Sequence, residues 1–153
     1  MKSLLCIHKL QKRALRIISK EGFQSHHIPI CNNIQLLDLE DIYNLKALSF
    51  LYDYHHGKLP PFFKNKLEFS NNRNNELVLK TRYRRTDIAS ATIFNTLPSI
   101  WNPLPNKIKL CITKSKKIFL KEVKIHLLLQ YEGWECKEAD CFACKQARQS
   151  YIP

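Results

Sequence analysis

Glycine is scarce, three residues in 153, and no Gly-rich stretch is present to wrap a phosphate, which removes the P-loop and dinucleotide-binding classes. A G-x-S-x-G nucleophile turn is missing too, and no carboxylate-rich cleft signature stands in its place, so hydrolase chemistry has no visible carrier. No apolar run approaches the roughly 18 residues that cross a bilayer, so no membrane partner is expected. The opening MKSLLCIHKLQKR reaches only a few apolar residues before basic ones interrupt, too few for a secretory signal. Six cysteines therefore read as reduced thiols rather than a disulfide framework, and the expected setting is nuclear or cytoplasmic, in a reducing compartment. The first twenty residues also lack any acid, and a mitochondrial transit peptide is the competing reading of that segment.

What the chain has in excess is positive charge: 25 Lys and Arg against 13 Asp and Glu, a formal net charge of +12, which favours polyanionic partners and nucleic acid first. With 44% apolar residues the chain can build one core, and the expected organisation is a helical domain over residues 1–131 followed by an acidic, Cys-containing tail over 132–153. From Leu4 to Lys20, apolar Ile7, Leu10, Ala14, Ile17 and Ile18 recur at helical steps, while Lys9, Arg13, Arg16 and Lys20 form a basic stripe about half a turn away, and Gly22 is a candidate cap. Such a stripe is either a solvated surface or a phosphate contact. His26-His27 follows in a loop closed by Pro29. Adjacent side chains diverge, so at most one can face a metal, and a turn histidine bonded to backbone is the plainer reading.

Asp38 to His56 predicts a second helix with Leu39, Ile42, Leu45, Leu48, Ser49 and Tyr52 on one face, acids in its first turn and Gly57 as its cap. Being apolar over more than one stripe, it is the expected centre of the packing, with its aromatics in the core. Beyond an Asn-rich loop, Leu77, Leu79, Thr81 and Tyr83 alternate with Val78, Lys80, Arg82 and Arg84, the period of a strand with one basic face, to which Ile93-Phe94 can pair as a small hairpin. That basic face either follows a phosphate backbone or guards an edge strand. In FNTLPSIWNPLPNKIK, Leu-Pro dipeptides bracket Trp101-Asn102 and fix the backbone around a large ring. The stretch reads as a rigid connection in which Trp101 is a core anchor whose indole N–H needs a backbone carbonyl. Thr113 to Gln130 predicts a last helix with Phe119, Val123 and Leu127 inward and Lys114, Lys117, Lys121 and Lys124 outward. The expected fold class is mainly α: three principal helices, a small two-stranded β element and a short Cys-containing appendage.

The Trp101 stretch resembles the "WN-x-LP" segment found downstream of the palm in non-LTR (LINE-type, jockey/CR1/RTE-like) retrotransposon reverse transcriptases. Further matches occur in that family's order: LQKRALRII at residues 10–18 is similar to "LQKKAIRII", SHHIP at 25–29 to "AHTEP", LLDLEDIY at 36–43 to "ILKLEDIY", and LPPFF at 59–63 to "LPSYF". Phe119-Leu120-Lys121 stands where the family has a closing "FK-x-x-LK" helix, whereas Asn72-Arg73-Asn74 meets its "TR" only loosely. The resemblance covers about residues 4 to 130. It implies the post-palm region of an RNA-directed DNA polymerase, without the chemistry: no Asp-Asp pair occurs here to hold the two Mg²⁺ ions that nucleotidyl transfer needs.

The function expected is therefore non-catalytic, binding or positioning template RNA or target DNA, with RNA or single-stranded DNA as partner and, if the chain is truncated, an upstream polymerase domain beside it. Lys9, Arg13, Arg16, Lys80, Arg82, Arg84, Lys117 and Lys121 are the candidate nucleic-acid contacts. The alternatives are a stand-alone protein-interaction module, docking through the second helix and the Trp101 segment, and a non-functional transposon remnant. In the tail, Cys136, Cys141 and Cys144 offer three thiolates at spacings that reach one zinc ion. A fourth ligand is lacking, His126 and Cys111 being candidates, and reduced, unliganded cysteines are the competing reading.

Overall fold

The structure, a computed structural model, describes residues 2–23, 25–71, 76–81, 86 and 92–136, with backbone alone at residues 2–5. Along the chain come α1 (Lys2–Ser19), α2 (His27–Asn33), α3 (Leu39–His55), a 3-10 turn (Pro61–Phe63), β1 (Phe69–Asn71), β2 (Leu77–Leu79), α4 (Ile93–Trp101), α5 (Asn106–Leu110), a second 3-10 turn (Cys111–Thr113) and α6 (Lys116–Leu129). The fold is mainly α with one small antiparallel sheet, and α1, α3 and α6 are its long helices. No described helix is long and apolar enough to cross a membrane. The chain divides into two compact units, Met1–Asp41 with His126–Pro153, and Ile42–Ile125.

In the unit Ile42–Ile125 the strands pair Phe69 with Leu79, Ser70 with Val78 and Asn71 with Leu77. The partner of β2 is thus the upstream segment, not Ile93-Phe94, which instead open helix α4. The reason is local: Thr92 is extended at the helix start, and Leu97 and Pro98, four and three residues before Trp101, share its buried face. The stretch around Trp101 is therefore the end of a helix rather than a bare connection. Trp101 is 0% exposed, its ring lies 6.4 Å from Phe69 and 6.5 Å from Phe119, and its Nε1–H donates to the Leu77 carbonyl at 3.1 Å. Asn102 next to it takes both backbone groups of Leu79, accepting from its N–H at 2.9 Å and donating to its carbonyl at 3.0 Å. Buried Lys109 donates in turn to the Asn102 carbonyl at 2.8 Å. α3 buries Ala47, Leu48, Leu51 and Tyr52, while Ile42, expected inside, faces solvent. A helix apolar nearly all round does not announce its inner side. Tyr52 stacks on Phe119 and its hydroxyl donates to the Lys114 carbonyl at 2.7 Å.

The other unit departs further from expectation. α1 buries Leu15 and half-buries His8, Gln11, Lys12, Arg16 and Ser19, whereas Ile7, Leu10, Ala14, Ile17 and Ile18, its apolar stripe, lie exposed, Leu10 at 65% and Ile17 at 69%. Polar bonds decide this orientation. Gln11 donates to the Leu37 carbonyl and accepts from the Leu39 N–H, both at 3.0 Å, and Arg16 Nε donates to the Ser25 carbonyl at 2.8 Å. Lys20, not Gly22, takes the left-handed conformation that ends α1, while Gly57 beyond α3 has the positive φ of a glycine cap.

Candidate functional site

The cations singled out from sequence fall in both units. Lys9 and Arg13 are exposed on α1, and Arg16 is half-buried and bonded to Ser25. Lys80, just past β2, is exposed and pairs with Glu68 at 3.2 Å. Arg82 and Arg84 lie outside the described residues. Lys117 and Lys121 are exposed on α6, with Lys124 on the same helix and Lys114 just ahead of it, opposite buried Phe119 and Val123. This last row is the clearest segregation of charge from core in the unit Ile42–Ile125. That unit also holds most of the excess charge, sixteen Lys and Arg against five Asp and Glu, compared with nine against eight in the rest of the chain.

In the other unit a polar centre forms that the sequence did not announce. His8 Nε2 of α1 lies 2.8 Å from Asp38 Oδ1, and His27 Nε2, at the start of α2, lies 3.7 Å from Asp38 Oδ2. The imidazoles meet edge to face, with centroids 5.5 Å apart. Burial pushes the Asp38 carboxyl up, but the His27 imidazole, the Leu39 N–H and the neighbouring histidine charges outweigh it and hold the group at about 2. The Asp38 N–H donates to the Tyr131 hydroxyl at 3.0 Å, and that hydroxyl donates to the Asp41 carboxylate. Burial and the Asp41 carboxylate push the Tyr131 phenol well above its ordinary range. Asp38 sits just before the first residue of α3, His27 is half of an adjacent pair in the sequence, and His8 lies on a helix that packs by its polar side. No local motif joins the three, so only the fold brings them together.

Beside this centre a cleft is lined by Lys12, Arg16, His26, His27, Trp134, Glu135 and Cys136. His26 packs its ring on Trp134, centroids 4.9 Å apart, so the two adjacent histidines do diverge, one to an indole and one to a carboxylate. Of the expected thiolate set, Cys136 is half-buried in this cleft, and Cys141 and Cys144 lie outside the described residues. Cys111, a candidate fourth ligand, is buried with its thiol donating to the Lys107 carbonyl, and His126 Nε2 lies 3.3 Å from Gln130 Nε2. Compared with family models, curated proteins and solved structures, the chain matches none.

Proposed function

We propose that this chain is the post-palm region of a non-LTR reverse transcriptase and that its task there is non-catalytic, holding template RNA or target DNA by the phosphates. The family part rests on five sequence matches in order. The observation that carries the nucleic-acid part is the exposed row Lys114, Lys117, Lys121 and Lys124, set on the unit with the large positive excess. An exposed row of ammonium groups suits a flexible polyanion and gives affinity with little base preference. Titration of a labelled single-stranded RNA followed by anisotropy tests it. If four lysines reach phosphates, log K should fall with log salt at a slope of about −3 for a single strand. Binding indifferent to salt would remove the reading.

One observation favours a protein-docking role as the second reading, though not through the surface first expected for it. Trp101, Leu48 and Leu51 are fully buried and cannot dock. The exposed apolar row Ile7, Leu10, Ile17 and Ile18 of α1 can. Association through it would respond weakly to salt and strongly to Leu10→Lys.

A further inference from the structure

We propose that His8, His27 and Asp38 form a binding site for a divalent ion of the zinc class, held by two imidazole nitrogens and one carboxylate oxygen. The three donor atoms come from three separate segments, α1, the start of α2 and the residue before α3, and all lie within 4.8 Å of one another. Zinc bonds to nitrogen and oxygen of about 2.0 to 2.1 Å in a tetrahedron put neighbouring donors roughly 3.4 Å apart. The two separations, 2.8 Å for His8 to Asp38 and 3.7 Å for His27 to Asp38, bracket that spacing. At 3.7 Å the His27 nitrogen faces the carboxylate at ion-pair distance, with room for an ion between them.

The backbone that carries Asp38 is held by side chains from two other segments. Gln11 clamps the backbone on both sides of Asp38, through the Leu37 carbonyl and the Leu39 N–H, and the Tyr131 hydroxyl accepts from Asp38's own N–H. These bonds fix the position from which the carboxylate is presented to the two imidazoles. Access is present as well, since the side chains of His8 and His27 keep 26% and 16% of their exposure while Asp38 keeps 9%. Three protein donors leave a fourth position for water, the arrangement of an open zinc site rather than a closed one. Its nitrogen and oxygen donors differ in ligand chemistry from the thiolates expected of the tail, which is what makes the two distinguishable.

The experiment uses the full chain stripped with a chelator and titrated with Co²⁺ and then Zn²⁺. Expected are visible Co²⁺ bands of low-symmetry nitrogen and oxygen ligation at one equivalent, without the near-ultraviolet band of thiolate ligation, and unchanged by Cys136→Ser. His8→Gln or His27→Gln should each lower the affinity by more than about 100-fold, since even the residues behind such ligands are worth 10- to 100-fold. In the wild-type chain, imidazole nitrogen resonances of His8 and His27 should shift on Zn²⁺ addition while those of His55 and His56 stay, which keeps the test independent of how the variants fold. Bands that carry the thiolate signature and vanish with Cys136→Ser would overturn the assignment. So would histidine resonances that ignore Zn²⁺, leaving a His-Asp-His ion-pair cluster only.

Discussion

One carboxamide, that of Asn102, does for Leu79 what a third strand would do: it takes both the N–H and the carbonyl of that residue, while the Trp101 indole takes the carbonyl of Leu77. A two-stranded hairpin is marginal alone, so these three bonds, with the fully buried ring, tie β2 to α4. Trp101→Ala should cost about 3 to 5 kcal/mol in a denaturant titration, the usual range for emptying a core aromatic site. Asn102→Ala, which leaves a part-buried N–H without its acceptor, should cost about 1 to 3 kcal/mol. An unchanged midpoint for either would mean that the hairpin does not depend on α4. Much of this was legible in FNTLPSIWNPLPNKIK, because three prolines and a Trp leave few places for the ring, and a buried indole demands an acceptor. The role of Asn102 was not, since a carboxamide beside a Trp gives no sign of which backbone it will reach. Thiols sort at the same scale. Burial, then the Asp38 and Asp41 charges, push the Cys31 thiol up to about 11, while Cys6 is exposed. In the folded chain at mildly alkaline pH, iodoacetamide should modify Cys6 well before Cys31, read by peptide mass mapping. Equal rates would show that Cys31 is open to solvent.

Among the helices, α6 and α1 carry similar sequence patterns and end differently. Phe119, Val123 and Leu127 of α6 are buried with lysines opposite, as helical periodicity predicts. For α1 the periodicity located the apolar residues correctly but not the side that packs. Its inward face is set by Leu15 and by the bonds of His8, Gln11 and Arg16, all made to residues between Ser25 and Leu39. Long-range polar pairing of that kind has no local signature, which is also why the His8, His27 and Asp38 centre stayed hidden. The orientation has a direct check. Leu10→Lys and Ile17→Lys should each change stability by no more than about 0.5 kcal/mol, as surface substitutions do, whereas Leu15→Ala should cost about 2 to 5 kcal/mol. Thermal melts that reverse this order would put the apolar stripe inside.

For the molecule as a whole, the position of the charge matters more than its total. A polyanion responds to the local field, and the +12 of the chain is carried almost entirely by Ile42–Ile125, because the basic stripe of α1 is offset by acids elsewhere in its own unit. Sequence alone ranked Lys9, Arg13 and Arg16 beside Lys117 and Lys121, since each set is a regular stripe on a helix. The division into units separates them: Arg16 is engaged by the Ser25 carbonyl, and Lys9 and Arg13 share their unit with nearly as many acids as bases. Charge reversal at Lys117 and Lys121 should therefore weaken RNA binding far more than reversal at Lys9 and Arg13. Each Lys117 or Lys121 contact removed should also cut the salt slope by about 0.7 for a single strand. The loss should be the same for unrelated RNA sequences, because phosphates carry no sequence information. Anisotropy titrations of the two double variants at several salt concentrations decide the matter. If reversal on α1 abolishes binding while reversal on α6 leaves slope and affinity intact, the nucleic-acid face belongs with the cleft of Lys12, Arg16 and Trp134, and the lysine row of α6 is an ordinary solvated surface.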